Sequence, residues 1–178
     1  MFRGTRIRLR PVEQHDLELL VGWRNTPENW VHFFNKFPLS VAGQQGWFSR
    51  LVASETKKLF IICTLDDDQP IGTIGLDNID FPNQSSEYGN ILVGDKQFAG
   101  KGLAREATQL LLSFAFQHLN MNRVYLRVLQ ENTSAIRLYE RTGFRHEGVQ
   151  RQAYFSNGCF RNVVLMALLR HEHCCKEP

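Results

Sequence analysis

The stretch Gln97-Phe98-Ala99-Gly100-Lys101-Gly102-Leu103-Ala104 decides the fold of this 178-residue chain. It follows a run with strand character at residues 87–93 and opens a run with helical periodicity at residues 103–119. Glycines at such a junction allow a tight turn and leave backbone N–H groups uncovered. The first turn of a helix has N–H groups without internal partners, so it binds phosphate. The stretch lacks the spacing of the common nucleotide-binding loops. It predicts a phosphate-binding loop between a strand and a helix; the alternative is a glycine turn before a surface helix.

A second segment, at residues 132–144, favours the phosphate-binding interpretation. It begins about thirty residues after the glycine loop and contains, in order, Asn132, Ala135, Leu138, Tyr139, Gly143 and Phe144. In order and spacing, the two segments resemble the two hallmark motifs of the GNAT superfamily of N-acetyltransferases. The resemblance covers residues 5–169 and implies one GNAT domain there, followed by a polar tail at residues 170–178.

Apolar periodicity along the rest of the chain fits one α/β (α+β) domain. Strands are predicted at residues 6–10, 59–65, 70–76, 87–93, 123–129, 145–154 and 159–169, with a polar loop at 77–85. Helices are predicted at residues 16–23, from a Ser40 cap through Leu51, at 103–119 and from Asn132 onward. The pattern predicts about seven strands and about four helices. The resemblance implies a mixed, mostly antiparallel sheet that is splayed between its fourth and fifth strands.

Composition excludes several classes of partner. The net charge of +3 is small and forms no concentrated basic stripe, so we expect no nucleic-acid partner. No apolar run approaches the roughly 20 residues that span a bilayer, and we expect no membrane partner. The cysteines Cys63, Cys159, Cys174 and Cys175 show no disulfide framework, which favours a reduced, cytoplasmic location. Cys63 lies in an apolar run and is predicted to be buried.

The tail sequence His171-Glu172-His173-Cys174-Cys175 has four soft metal ligands in five residues. A structural zinc site normally draws its ligands from separated segments, so that a tetrahedron can close. We therefore predict a frayed polar tail and no metal site.

The resemblance implies acetyl-CoA as the acyl-donor cosubstrate, with its pyrophosphate on the backbone N–H groups of the glycine loop. Lys101 and Arg105 add positive charge there, unless they face solvent. The residues assigned to the cofactor on this basis are Leu92, Val93, Gln97, Phe98, Ala99, Gly100, Lys101, Gly102, Leu103, Ala104, Asn132, Ala135 and Tyr139.

Tyr139 is the predicted general acid. The resemblance places this tyrosine near the sulfur of coenzyme A, where its hydroxyl can donate to the departing thiolate. Asn132 lies seven residues earlier, on the same helix face, and the resemblance puts it beside the cofactor arm. The alternatives are that Tyr139 is a core aromatic and that Asn132 is only a helix cap.

The general base is harder to assign. Some members of the superfamily have a glutamate on the fifth strand, but the matching run here, Tyr125-Leu126-Arg127-Val128, has an arginine in its place. Glu87, at the start of the fourth strand, is the candidate that remains, either as a base acting through water or as a group that holds the substrate cation. A solvated strand-end glutamate is the alternative. Asp77 and Asp80 are weaker candidates.

The residues Trp23, Arg24 and Asn25, the aromatic loop after them and Trp47 resemble one GNAT subgroup. It includes the ribosomal-protein N-terminal and the amino-sugar-nucleotide acetyltransferases, in which the first two helices line the acceptor side. The candidate substrate-binding residues are therefore Trp23, Arg24, Phe33 and Phe34, with Phe37 beside them; a plain hydrophobic core is the alternative.

These observations predict an N-acetyltransferase that acts on a primary amine: a protein N-terminus, an amino sugar nucleotide or a small amine. The net charge argues mildly against a polycationic substrate. A nucleotide sugar would use basic and aromatic residues, which the region of Arg24 and Trp30 supplies. The alternative function is a catalytically silent domain that binds coenzyme A as a sensor or an assembly module. We expect a monomer or a homodimer.

Overall fold

The computed structural model describes residues 2–31 and 33–174. Cys175, one of the candidate tail ligands, lies outside them. Eight strands form one sheet in the order β1-β2-β3-β4-β5-β6-β8-β7. The strands are β1 (Phe2–Arg3), β2 (Ile7–Pro11), β3 (Lys58–Thr64), β4 (Pro70–Asp80), β5 (Ser85–Val93), β6 (Arg123–Leu129), β7 (Arg145–Ser156) and β8 (Cys159–Leu169).

Helices cover both faces of the sheet. They are α1 (Leu17–Asn25), α2 (Pro27–Trp30), α3 (Val41–Ala53), α4 (Leu103–Ser113), α5 (Thr133–Thr142) and α6 (Arg170–Cys174). The predicted Ser40 cap is confirmed, because its side chain accepts a hydrogen bond from Gly43 N at the start of α3. In the described part of the chain, no helix is long and apolar enough to cross a membrane.

The predicted splay is confirmed and lies between β5 and β6. These strands are parallel, and they pair at only three positions: Ser85 with Arg123, Ser86 with Val124, and Glu87 with Tyr125. All other neighbouring strands are antiparallel. The sheet has one strand more than the predicted seven because β1 adds a short edge pairing. The fourth and fifth strands of the prediction are therefore β5 and β6.

Two predicted segments are more ordered than the sequence indicated. The prediction of a polar loop at residues 77–85 is wrong, since β4 runs to Asp80 and β5 begins at Ser85. Asp80 closes the short turn by accepting hydrogen bonds from the backbone and side chain of Asn83. Residues 170–174 of the predicted frayed tail form α6, where Glu172 accepts from Leu169 N and pairs with Arg145 at 2.8 Å.

The core consists of two clusters, one on each face of the sheet. Alternate residues of β3 point to opposite faces: Phe60 and Ile62 join the larger cluster with α4 and α5, while Ile61 and Cys63 join the smaller one with α1 and α3. The burial of Cys63 is thus confirmed. The helical periodicity at residues 103–119 has its basis in this packing, because Leu103, Ala107 and Leu111 of α4 and the following Ala115 are all buried.

Trp23 belongs to the smaller cluster, and its indole packs against the backbone of Gly94, just after β5. A Cβ atom at Gly94 would overlap this ring.

We therefore expect Gly94→Ala to lower the free energy of unfolding by about 1–3 kcal/mol, the usual cost of overpacking. The control is Gly22→Ala at an exposed position of α1, where nothing lies within 4 Å of the added carbon. It should raise stability by up to about 1 kcal/mol, because alanine favours the helix. Urea unfolding measures both, and a Gly94→Ala protein as stable as wild type would contradict this packing.

Candidate active site

A cavity of about 1300 Å³ occupies the opening between β5 and β6. Its wall is built from β5, the end of β6, the start of α4, one face of α5 and the loop that follows α2. This volume exceeds that of an ordinary single-ligand pocket, which is roughly 300–1,000 Å³. The cavity has room for two substrates, one at each end.

The glycine loop forms one end of the cavity. Gly100 and Gly102 have left-handed backbones, with φ of 74° and 78°, and Gly102 is the N-cap of α4 without a side-chain cap. No side chain therefore caps the first N–H groups of α4 by a hydrogen bond, and the Arg6 guanidinium lies beside Gly102, with Nη2 3.6 Å from where a Cβ would stand. Open space surrounds Gly100, where an added Cβ would meet nothing within 4 Å. This combination fits a phosphate-bearing ligand.

A contact that sequence reasoning missed holds the loop in place. Arg6 Nη1 donates to the carbonyl of Lys101 at 2.9 Å, and Arg6 Nε pairs with Glu106 at 2.9 Å. Glu106 Oε1 also accepts from the backbone of Thr5 and Arg6. Because the partners are about one hundred positions apart in the sequence, no local pattern signals this contact.

A bulge in β5 shapes the middle of the cavity. Thr73 pairs with Leu92, but Gly75 pairs with Gly89, so β5 has one extra residue between these positions. Asn90 takes the left-handed conformation with φ of 56°, which asparagine tolerates better than most residues. Its side chain donates to Asp77 at 2.7 Å. The sequence Gly89-Asn90 was the available signal for the bulge.

Tyr139 projects from α5 into the cavity wall. Its ring is 6% exposed and packs edge-on against Tyr88, with ring centroids 5.6 Å apart. Tyr88 hydrogen-bonds Thr108, whereas the Tyr139 hydroxyl has no hydrogen-bond partner among the described residues. Burial raises the pKa of Tyr139, so this hydroxyl stays protonated at neutral pH. Tyr139 is both a core aromatic and a cavity residue.

The start of α5 lies beside the cavity. Asn132 is its N-cap, with Oδ1 accepting from Ala135 N at 3.2 Å, and it also lines the cavity. The helix ends at Gly143, whose φ of 108° suits glycine, and Phe144 then turns into the core. The second sequence motif therefore has a structural basis at both ends of α5.

Glu87 lies where β5 and β6 begin to separate. Its two oxygens accept hydrogen bonds from Arg127 Nε at 2.9 Å and Asn78 Nδ2 at 2.8 Å. Arg127 is the residue that stands in place of the fifth-strand acid. Asp77 is also engaged, at 2.7 Å from Lys57, and Asp80 holds its own turn.

The acceptor-side candidates divide between the cavity and the core. Arg24, at the end of α1, places its guanidinium carbon 3.5 Å from the ring centroid of Phe33. Phe34 packs edge-on against Tyr154, and the hydroxyl of Tyr154 donates to the Phe34 carbonyl at 2.9 Å. Trp23 does not line the cavity, and Phe37 is 81% exposed.

Most of the predicted site residues meet in this one cavity. Those in its wall are Glu87, Leu92, Val93, Phe98, Ala99, Gly100, Gly102, Leu103, Ala104, Asn132, Ala135, Tyr139, Arg24, Phe33 and Phe34. Gln97 lies off the wall, with its amide on Asp95, and Lys101 lies off it beside the ring of Phe98. Among the side chains that the structure describes, which do not include those of Cys174 and Cys175, no group of three or more His, Cys, Asp or Glu is placed to hold a metal ion.

Comparison with known proteins shows which families have a similar sequence and a similar fold. A sequence model of the acetyltransferase (GNAT) domain family matches residues 6–145. The spermidine N(1)-acetyltransferase of Escherichia coli K12 is 27% identical and aligns over 94% of this chain and 88% of its own length. A putative ribosomal N-acetyltransferase of Bacillus subtilis, YdaF, is 34% identical over 61% of this chain and 58% of its own.

Solved structures agree with the sequence comparison. The spermidine N-acetyltransferase of Vibrio cholerae, in complex with CoA and spermine, superimposes with a TM-score of 0.89 at 26% identity, over 96% of this chain and 99% of that one. Other structures of that enzyme are described as dodecameric, at a TM-score of 0.84, and as a complex with manganese ions, at 0.82. The expected oligomeric state and the expected absence of a metal therefore stay predictions for this chain.

The family match spans well over half of the chain, and the fold, the splay and the two motifs agree with it. The chain belongs to the GNAT acetyltransferase family and is an acyltransferase that moves an acetyl group from acetyl-CoA to an amine.

Proposed function

We propose that the protein acetylates the primary amine of a small molecule, with Tyr139 as the hydrogen-bond donor to the leaving sulfur and Glu87 as the group that positions the amine. The observation that carries this proposal is an unpaired tyrosine hydroxyl in the same cavity as the uncovered start of α4. Release of free thiol from acetyl-CoA, measured with a panel of peptides, polyamines and amino sugars, tests it directly.

The cosubstrate end of the cavity is the glycine loop and α5. Acetyl-CoA supplies the activated acetyl thioester. The backbone N–H groups at residues 100–104 would hold its pyrophosphate, and Asn132 and Ala135 would contact its arm. Arg105, Arg137 and Arg141 also line this side of the cavity and add positive charge for its phosphates.

Tyr139 suits stabilisation of the leaving sulfur better than full proton transfer. A thiol has a pKa near 8.5 and a free phenol near 10, and burial raises the pKa of Tyr139 further. Complete transfer from this phenol to a thiolate is therefore uphill. A hydrogen bond from the hydroxyl to the developing thiolate has no such cost, and the amine nitrogen, which must lose a proton on acylation, is the net proton source.

Glu87 suits positioning better than proton abstraction. Each of its oxygens already accepts one hydrogen bond, one from the Arg127 guanidinium and one from the Asn78 amide, so the carboxylate is held in a fixed orientation. Free lone pairs remain on both oxygens. They could accept from the N–H groups of an incoming amine and orient its lone pair. The silent-module alternative is less favoured, because Tyr139, Glu87 and the glycine loop share one open cavity.

The glycine loop is tested by a substitution with a matched control. Gly102→Glu puts a carboxylate at the start of α4, which would repel the pyrophosphate, so acetyl-CoA should no longer raise the melting temperature. Gly158→Glu, in the turn between β7 and β8, imposes the same backbone strain, since φ is 76° there and 78° at Gly102. It should respond to acetyl-CoA like wild type. An undiminished response in Gly102→Glu would show that phosphate binds elsewhere.

Tyr139→Phe separates the hydroxyl from the ring. The ring's packing remains, so the variant should fold within about 1 kcal/mol of wild type and bind acetyl-CoA normally. Turnover should fall by about 10²- to 10⁴-fold, the usual range for such a group. The control is Tyr125→Phe on β6, outside the cavity wall, which should keep its activity. Steady-state rates and a coenzyme A titration give both quantities; full activity in Tyr139→Phe would remove the hydroxyl from the reaction.

Glu87→Gln distinguishes positioning from base catalysis through pH. If Glu87 positions the amine, the variant should have a higher KM for the amine than wild type. Its kcat/KM should be lower than that of wild type by a similar factor at every pH between 7 and 9. A base would instead matter less at high pH, where unprotonated amine is abundant. Glu131→Gln is the control, because Glu131 pairs with Arg161 at 2.9 Å outside this cavity. A loss that shrinks steadily as pH rises would restore Glu87 as the base.

A further inference from the structure

Arg24 is a charged group without a charged partner in the part of the chain that the structure describes. It lies in the last turn of α1 and lines the cavity, with its guanidinium carbon 3.5 Å from the ring centroid of Phe33. Among the described residues, no carboxylate pairs with it and no acceptor takes one of its five N–H donors. Burial lowers the pKa of Arg24, although an arginine stays charged at any physiological pH. A half-buried, unpaired cation is costly unless a ligand completes it.

A chain of contacts connects Arg24 with the reaction centre. Its ring partner, Phe33, is followed by Phe34, and the Arg127 guanidinium lies 5.6 Å from the centroid of the Phe34 ring. Arg127 in turn holds Glu87. Tyr154 of β7 fastens this loop by donating to the Phe34 carbonyl. Arg24 and Glu87 therefore line the same cavity and are connected through the neighbouring residues Phe33 and Phe34.

The charges on this side do not suit a polycation. Two carboxylates line the described cavity wall, Asp77 and Glu87, and each is already paired with a cation, Lys57 or Arg127. If Glu87 receives the amine to be acetylated, Asp77 is the one described carboxylate left in the wall for the second and third ammonium groups of a polyamine, and these would have to compete there with Lys57. The wall offers instead an unpaired guanidinium. Its planar donors match the oxygens of a phosphate or a carboxylate, and its stacking on Phe33 fixes its orientation.

We propose that Arg24 binds an oxyanion carried by the acceptor, so that the substrate is a small primary amine that also bears a phosphate or carboxylate group. The inference rests on the proposed acetylation of an amine in this cavity. Glu87 then receives the amine end of the acceptor and Arg24 its anionic end. Such a substrate differs in charge from the spermidine and spermine named for the relatives.

The wild-type protein tests the proposal with pairs of amines that differ in one charge. Glucosamine 6-phosphate is compared with glucosamine, and β-alanine with its amide; a uridine-diphosphate-linked amino sugar and spermidine complete the set. We expect the anionic member of at least one pair to have a kcat/KM higher by about 10- to 100-fold, as one charge-assisted contact gives. The two pairs distinguish a phosphate from a carboxylate ligand. Equal rates within both pairs, or a preference for spermidine, would overturn the proposal.

Arg24→Gln should abolish this preference while acetyl-CoA still raises the melting temperature as in wild type. The control, Arg50→Gln, removes the same charge from an exposed position on α3 outside the cavity wall and should keep the preference. Arg24→Lys keeps the charge but loses the planar donors, and should retain only part of the preference. If Arg24→Gln keeps the full preference, or loses acetyl-CoA binding instead, the guanidinium does not bind the acceptor.

A binding measurement keeps this test apart from the proposed function. Titration of the preferred anionic amine into the protein without acetyl-CoA should show binding that Arg24→Gln weakens by about 10-fold or more and Arg50→Gln does not. If no amine in the set releases thiol, the proposed acetylation fails for these acceptors, and the titration still decides whether Arg24 binds an oxyanion. Equal affinity in Arg24→Gln and wild type would contradict the inference even where acetylation is observed.

Discussion

The short parallel pairing of β5 with β6 is the constraint on which the rest of the structure depends. Three residue pairs hold the strands together, and beyond Glu87 and Tyr125 they diverge. Backbone groups at a sheet edge need hydrogen-bond partners. The rest of β5 pairs with β4 on one side, and its other side faces the cavity. The opening thus supplies both room for a substrate and peptide groups to bind it. The two core clusters make this opening possible, because α4 and α5 on one face and α1 and α3 on the other hold the sheet together around it.

Two left-handed glycines and one bulge then give this general frame its local shape along the cavity wall. The glycines end the loop at α4 and leave its first turn without a side-chain cap. The bulge at Asn90 shifts the register of β5 by one residue in the middle of the cavity. Both devices are local, since each depends on residues adjacent in the chain. The loop is held from a distance by Arg6 and Glu106, which tie the first strands to α4.

The sequence allowed the local features to be predicted, and it was silent on those that join distant segments. The glycine loop and the segment at 132–144 are contiguous, and each has a physical signature that can be read directly, such as Gly143 at the end of α5. The ion pair of Glu87 with Arg127 spans forty residues, and the hydrogen bond of Tyr154 to the Phe34 carbonyl spans 120. No periodicity encodes such pairs. The short elements β1, α2 and α6 were missed because they have two to five residues each, too few for a periodic signal. Trp23 was assigned to the acceptor side, but its orientation within α1 turns it into the core.

The arginine on β6 changes how the cavity promotes acylation at neutral pH. An amine must lose its proton before it can attack, and a primary amine has a pKa near 10.4 in water. In the proposed mechanism Glu87, which accepts hydrogen bonds from Arg127 and Asn78, positions the amine and does not remove that proton. Nearby cations, however, disfavour the ammonium form of the substrate, and each unit by which they lower its pKa gives about tenfold more free amine. Arg24, Lys57 and Arg127 oppose Asp77 and Glu87 in the wall, a net charge of one positive unit from these five residues, and Arg105, Arg137 and Arg141 on α4 and α5 add three more. The cationic wall can therefore do part of the work of a base, because it lowers the pKa of the substrate's ammonium group. An oxyanion bound to Arg24 would partly reverse this lowering of the pKa, but it would add binding energy. The balance between these two effects sets the distance at which the amine and the anionic group of a good acceptor should lie, because an anion too close to the amine would stabilise the ammonium again.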